Sequence, residues 1–301
     1  MKVLVCADIH IRGDMPKCRD DESWMESQAE DLKSIVETAE TSKADQIWVL
    51  GDLFDQARCA TEAVNLVLDS FGKSSVPVKI LCGNHDLPQH RFGELKRSSI
   101  GTVLHRFSML ETDKTIGLAA FPFGCEPDDM DGYMRENGLR IWATHQLTFP
   151  EEAARPPQAK GVLAQELLDK CPTAQLVLTG DYHHGYVYTA DDGRRVLTPG
   201  CVNIQKSDMA KYKPRVYILD TDTLEIQPPV YLPIHGKVVT RYIEKMHAAE
   251  TMEERFVESL ESGRISIASF KDTLTSKIPE LPKGVRDIMI EVEDLVNGDR
   301  I

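Results

Sequence analysis

Asp, His and Asn residues occur in five short clusters, and each cluster directly follows an apolar run. The clusters are Asp8-Ile9-His10, Gly51-Asp52-Leu53-Phe54-Asp55, Gly83-Asn84-His85-Asp86, Thr144-His145 and Gly180-Asp181-Tyr182-His183-His184. Carboxylate, imidazole and amide groups without thiolates suit a reactive centre with Mn²⁺, Fe²⁺ or Zn²⁺ better than a structural zinc site or a calcium cage. The clusters therefore predict a metal centre, provided that the fold brings them together.

The apolar runs before the clusters are rich in Val, Ile and Leu, which is typical of buried strands. They span residues Val3–Ala7, Ile47–Leu50, Val78–Cys82, Leu139–Ala143 and Leu176–Thr179. Between the first three runs, apolar residues recur at helical spacing. This alternation predicts a layered α/β domain, in which loops at the carboxyl ends of neighbouring strands converge on one crevice.

Any one cluster has an ordinary structural explanation, because Asp and Asn are common in turns and a single His is more often a surface residue than a ligand. Five strand ends that all carry ligand-type residues leave little room for coincidence. Two ions share a bridging carboxylate and need further ligands on each side, and the clusters supply enough of them. We expect two divalent ions, Mn²⁺ in first place with Mg²⁺, Fe²⁺ and Zn²⁺ as alternatives.

The later part of the chain predicts hairpins and then helices. Strand-like segments flank turn signals in two places, Tyr186–Ala190 with Arg194–Thr198 and Arg215–Leu219 with Leu224–Tyr231. These hairpins predict a second, more antiparallel sheet packed on the first. Strand signals fade after Pro233, which predicts a domain over residues 1–233 and a small, mainly helical accessory or partner-docking region over 234–301.

Composition limits the classes of function. The 301 residues carry a net charge of −13, which argues against DNA binding through a broad basic surface. Seven scattered Cys without a C-x-x-C pair favour a reducing compartment. No apolar run is long enough for a membrane span, so we expect a cytoplasmic protein without a membrane partner.

The clusters, in this order, resemble the calcineurin-like metallophosphoesterase superfamily over roughly residues 1–205. The resemblance implies a four-layer α/β/β/α sandwich. It implies that Asp8, His10 and His183 bind one metal, that Asp52 bridges, and that Asn84 and His145 bind the other.

Three residues near these ligands carry further expectations. His85 matches the histidine that the superfamily places beside the scissile phosphate, and Asp86 either orients it or caps the loop. The last motif has Asp181 where the superfamily usually has His. A carboxylate there either ligates a harder ion or leaves the second site weak.

Two further segments are similar to SbcD-type DNA repair nuclease subunits. Gly51–Arg58 resembles their second motif, and Thr198-Pro199-Gly200-Cys201 resembles their P-G-S segment with Cys in place of Ser. The resemblance implies a manganese-dependent DNA exonuclease and endonuclease in DNA repair, recombination or replication, an SbcC-like ATPase partner, and a homodimer. A phosphatase or phosphodiesterase for nucleotides or other small phosphoesters is the alternative, and the acidic net charge suits it better.

Basic residues that follow the motifs are candidates for DNA phosphate contacts, although an ordinary solvated surface explains them nearly as well. They are Arg58, Arg91, Lys96, Arg97 and Lys206.

Overall fold

The computed structural model describes residues 1–236 and 238, apart from residues 157, 207, 208 and 210. Almost all of the predicted C-terminal region, 234–301, lies outside the described residues, and its boundary stays a prediction.

Two large sheets, one two-stranded sheet and five α-helices make up the described part of the chain. The strands are β1 (Lys2–Cys6), β2 (Gln46–Leu50), β3 (Val78–Leu81), β4 (Ser108–Met109), β5 (Leu118–Ala120), β6 (Ile141–Ala143), β7 (Thr148–Phe149), β8 (Val162–Leu163), β9 (Leu176–Leu178), β10 (Tyr186–Thr189), β11 (Arg195–Thr198), β12 (Arg215–Asp220) and β13 (Val230–Tyr231). The α-helices are α1 (Trp24–Thr41), α2 (Thr61–Gly72), α3 (Ser99–Val103), α4 (Met130–Asn137) and α5 (Ala164–Lys170). Short 3₁₀ turns cover Pro88–His90, Phe92–Arg97 and Glu152–Ala154.

The first sheet has the order β13-β12-β1-β2-β3-β4. Strands β1 to β4 are parallel, because helical crossovers connect β1 to β2, β2 to β3 and β3 to β4. Strand β12 pairs antiparallel with β1. The apolar runs in front of the first three clusters are thus neighbouring central strands, as predicted.

The second sheet has the order β10-β11-β9-β6-β5 and is mostly parallel. The prediction of a more antiparallel second sheet was wrong, because α4 and α5 lie between its central strands as crossovers. Only the β10–β11 hairpin is antiparallel there, and β12 with β13 joins the first sheet instead. The predicted strand over 224–231 is reduced to β13, since Pro228 and Pro229 have no N–H for a ladder.

Alternating residues of β1 show how the layers are stacked. Leu4 and Cys6 pack with α1 and α2 on the outer side of the first sheet. Val3 and Val5 pack against the second sheet together with Trp48, which is fully buried. A third core lies between the second sheet and α4 and α5. The predicted four-layer α/β/β/α sandwich is therefore confirmed for the described residues.

Helix α1 illustrates why the outer layers form. Its first turn is capped by Ser23, whose hydroxyl accepts the backbone N–H of Glu26 at 3.3 Å. Leu32, Ile35 and Ala39 recur at helical spacing and are fully buried against the first sheet. Among the described helices, none is both long and apolar enough to cross a lipid bilayer.

Buried and exposed positions of α1 should differ in their effect on the stability of the protein. Replacing the fully buried Ile35 with Ala should lower the free energy of unfolding by roughly 2–5 kcal/mol, because it removes apolar contacts and leaves a cavity. Glu37 is exposed on the same helix, so Glu37→Ala should stay within about 0.5 kcal/mol of the unmodified protein. Urea unfolding measures both, and equal losses would contradict the packing.

Candidate metal centre

The first two ligand loops continue the pairing of β1 with β2 beyond the ends of the strands. The Asp8 N–H donates to the Gly51 carbonyl at 3.1 Å, and the His10 N–H donates to the Asp52 carbonyl at 3.0 Å. Asp8, His10 and Asp52 all have φ of 51°, in the left-handed region that Asp and His adopt more readily than most residues. Such conformations persist only where the surroundings hold them, and here hydrogen bonds to the loop after β2 hold Asp8 and His10.

Carboxylates of these two loops hold further loops in place. One oxygen of Asp52 accepts the backbone N–H of His85 at 2.9 Å. The carboxylate of Asp8 accepts the backbone N–H of Asp181 at 2.9 and 3.1 Å. The third and fifth clusters are therefore joined to the first two by hydrogen bonds that the carboxyl groups of Asp52 and Asp8 accept.

The fourth cluster is oriented by the end of β2. The Nδ1–H of His145 donates to the Leu50 carbonyl at 2.7 Å, which directs Nε2 toward the other donors. That Nε2 lies 3.1 Å from Oδ1 of Asn84 and 3.4 Å from Oδ2 of Asp52. All five clusters thus meet, although they follow strands of two different sheets and not of one sheet as the sequence suggested.

Three overlapping groups of donor atoms, each within 4.8 Å, could hold a metal ion. The groups are Asp8 with His10 and His183, His10 with Asp52 and His85, and Asp8 with Asp52 and His145. Asp8, His10 and Asp52 each belong to two of them, so the groups do not single out a bridging residue, and the bridging role of Asp52 stays a prediction. Asn84 adjoins the third group through His145.

Two buried atoms of this cluster lack a hydrogen-bond partner among the described residues, Nδ1 of His10 and Oδ2 of Asp52. In addition, Nε2 of His10 faces Nε2 of His183 at 3.1 Å. Two imidazole nitrogens at this distance share either a proton or a cation. Since an unpaired buried polar atom is costly, the arrangement fits divalent ions held by these donors.

Burial and neighbouring charges shift the protonation of the donors in different directions. Burial raises the pKa of Asp8 to about 8, and it lowers the pKa of His183 to about 4 and that of His10 well below its ordinary value. Burial alone would raise the pKa of Asp52, but His145 and the other imidazoles outweigh it and keep that carboxyl ionised. The histidines at one side are therefore neutral, the form that binds metals.

His85 and Asp86 have different surroundings. The Nδ1–H of His85 donates to the Asp55 carbonyl at 2.7 Å, and the exposed ring lines the cleft. Asp86 is fully buried, and its carboxylate accepts the N–H groups of Phe54 and Gly83, both at 2.9 Å. Of the two roles left open for Asp86, these contacts fit the loop cap.

Asp181 and His184 remain outside the three donor groups. Asp181 lines the cleft, and burial raises the pKa of its carboxyl. Its role as a ligand stays a prediction. His184 is exposed and contacts aromatic rings instead of the donors.

Sequence reasoning missed residues that make room for the donors. A Cβ on Gly51 would lie 2.1 Å from Nδ1 of His145, and a Cβ on Gly83 would lie 2.1 Å from Oδ1 of Asp52. Gly51 also has φ of +91°. The sequence contains a signal for these glycines, because each one directly follows a predicted strand and directly precedes a predicted ligand.

Polar residues after the fifth motif tie a further segment to the first ligand loop. The side chain of Asn203 donates to the Ile9 carbonyl at 3.1 Å, and that of Gln205 donates to the His10 carbonyl at 2.7 Å. No local pattern marks these two residues in the sequence. They place Lys206 at the rim of the donor cluster.

A cleft of about 370 Å³ opens over the donors. Its cations are Arg12, which pairs with Asp14 and Asp55, and Lys206. The other predicted DNA contacts do not line this cleft but are exposed outside it: Arg58, Arg91, Lys96 and Arg97.

Comparison with known families identifies the class. The sequence model of the calcineurin-like phosphoesterase family matches residues 1–158 of the chain. This range contains Asp8, His10, Asp52, Asn84 and His145. The chain therefore belongs to the calcineurin-like phosphoesterase family and is a metal-dependent phosphoesterase. Among curated proteins, no sequence matches this chain.

Solved structures that match the chain share little sequence with it. TT1561 of Thermus thermophilus is 13% identical, with a TM-score of 0.43 over 75% of this chain and 96% of its own. A dimetal phosphatase from Danio rerio is 12% identical, with a TM-score of 0.45 over 72% of this chain and 91% of its own. Yfce, a phosphoesterase from E. coli, is 17% identical, with a TM-score of 0.36 over 77% of this chain and 100% of its own. The family assignment rests on the sequence match and not on these structures.

The close approach of Gly83 to Asp52 predicts that replacing this glycine lowers the activity. Gly83→Ala should lower phosphoesterase activity by about 100-fold and weaken Mn²⁺ binding, because the new methyl group meets both the side chain and the backbone of Asp52. Gly72→Ala is the matched control, since nothing lies within 4 Å of its added Cβ. Hydrolysis of bis(4-nitrophenyl) phosphate and Mn²⁺ titration calorimetry measure the two effects. Full activity of Gly83→Ala would contradict the described packing.

Proposed function

We propose that the protein is a DNA nuclease of the SbcD type, which hydrolyses phosphodiester bonds as an exonuclease and endonuclease. The observation that carries the proposal is the position of the two SbcD-like segments. Asp55 from the second motif and Cys201 from the Thr198–Cys201 segment both line the cleft over the donors. Segments far apart in the chain thus border one site.

The reaction would use the donor set and His85. Bound divalent ions supply an activated water near neutral pH and neutralise charge on the phosphoryl oxygens. Asp8, His10, His183, Asp52, Asn84 and His145 would hold them. His85 is fixed through Nδ1 by the Asp55 carbonyl. With a second proton on Nε2, the ring would donate a hydrogen bond to the phosphoryl group or give that proton to the leaving oxygen.

The net charge of −13 limits how DNA is held. Affinity would come from the metal ions and from few cations, with Lys206 inside the cleft and Arg58, Arg91, Lys96 and Arg97 outside it. Of these, Arg58 donates to the Arg97 carbonyl at 3.3 Å, so the two residues form one basic patch. Few phosphate contacts give weak binding with a shallow dependence on salt.

The same proposal includes partners. An SbcC-like ATPase would raise the weak affinity for DNA by supplying a second binding surface, and a homodimer would double the sites. The region predicted to dock the ATPase, 234–301, lies almost entirely outside the described residues.

Substrate class is tested by direct comparison. With Mn²⁺, the protein should degrade linear DNA, and chelation of the metal should abolish this activity. Gel analysis of DNA cleavage is compared with phosphate release from nucleotides and cyclic nucleotides. Efficient hydrolysis of these small esters without DNA cleavage would refute the nuclease proposal and favour the small-molecule phosphatase.

The assigned role of His85 gives a second test. His85→Ala should lower turnover by about 10²–10⁴-fold, since it removes a proton donor beside the leaving oxygen. Mn²⁺ binding should be largely retained, because the other donors remain. His105→Ala, an exposed histidine outside the cleft, is the control and should retain turnover. Unchanged turnover of His85→Ala would remove this residue from the mechanism.

A further inference from the structure

A wall of aromatic rings stands beside the donor cluster. The ring of Tyr182 lies 5.3 Å from Phe149, 5.7 Å from His184 and 5.8 Å from Tyr186, measured between ring centroids. His184 in turn lies 6.1 Å from Tyr212. Tyr182 sits between Asp181 and His183 in the chain, so the wall is continuous with the fifth ligand cluster.

Phe149 is held rigidly behind Tyr182. It is only 2% exposed, and its strand β7 pairs with β8 at Leu163. A Cβ at Gly161 would lie 2.5 Å from the Phe149 ring, so the backbone there packs directly on that ring. The ring of Tyr182 therefore leans on a fixed support, which favours a defined orientation.

The front of the wall, Tyr182 and His184, faces the cleft, whereas Phe149 behind it is buried. Neither Phe149 nor Tyr182 belongs to the four hydrophobic cores found among the described residues. Tyr182 is partly exposed and His184 is exposed, and both line the cleft with Phe149. The Tyr182 hydroxyl makes no hydrogen bond to any described residue, so a structural role for it is not apparent. An aromatic surface is thus offered to whatever enters the cleft.

A cation faces the same space from the other side. Gln205 binds the His10 carbonyl, which places the adjacent Lys206 at the rim of the cleft. Its exposed ammonium suits a phosphate oxygen. Arg12, by contrast, is engaged by Asp14 and Asp55. The cleft combines an aromatic face, a cation and a metal-binding floor, which are the elements of a site for single-stranded nucleic acid.

We propose that Tyr182, backed by Phe149 and flanked by His184, stacks on an unpaired nucleobase next to the scissile phosphate while Lys206 holds an adjoining phosphate. This inference rests on the proposed nuclease function and specifies its substrate. A base inside a duplex is covered on both faces by its neighbours, so it must leave the stack to reach Tyr182. The protein should therefore prefer single-stranded or frayed DNA to a closed duplex.

The test compares two chains with the same number of phosphates, an oligothymidylate and an abasic chain of tetrahydrofuran residues. The protein should cleave the oligothymidylate with a kcat/KM about 10-fold to 100-fold higher, the range expected for stacking of one base. In Tyr182→Leu, which removes the ring, this ratio should fall close to one. Tyr182→Phe keeps the ring and should keep the ratio.

A matched control and the possible outcomes separate the two proposals. Tyr188 lies outside the cleft and donates to Gln165, so Tyr188→Leu should leave the ratio unchanged. Equal cleavage of both chains by the unmodified protein would overturn the stacking inference while leaving the nuclease function intact, and this comparison needs no variant to fold. A ratio that persists in Tyr182→Leu would also overturn it. Hydrolysis of small esters with no cleavage of either chain would refute the nuclease function itself.

Discussion

The metal centre depends on holding several ionisable groups within a few ångströms of one another inside the protein. Asp8 and Asp52 are fully buried, and burial of an uncompensated charge is strongly unfavourable. Part of the compensation comes from the chain itself, since each carboxylate accepts a backbone N–H from another loop. The remainder fits divalent cations. Folding and metal binding are therefore linked: the fold gathers the donors, and the ions would stabilise their close approach.

The stacking of two sheets makes this density of donors attainable. Three clusters follow β1, β2 and β3 of the first sheet, and two follow β6 and β9 of the second. Their loops lie so close that glycines are needed where a donor touches a neighbouring backbone, as at Gly51 and Gly83. The same closeness keeps Asp8 and His10 in left-handed conformations. Strained backbone conformations and glycines without a side chain therefore occur next to the donor residues.

In the proposed nuclease, substrate recognition would use other residues than catalysis. The donors form the floor of the cleft, whereas Tyr182, His184 and Lys206 line its walls. A floor of this kind serves any phosphate ester, because it interacts with the phosphoryl group alone. In the proposed function, the walls would interact with the remainder of the substrate and so distinguish DNA from a small ester.

The sequence by itself determined the strands that precede the clusters and the donor residues at their ends, because both signals are contained in a few neighbouring residues. It left open which sheet each strand joins, and the more antiparallel second sheet was a wrong prediction, since pairing depends on the crossovers α4 and α5. Only the tertiary structure decided the surroundings of Asp86, which depend on the distant backbone of Phe54. The same holds for the wall of Phe149 and Tyr182: two rings far apart in the chain meet only after both sheets are packed.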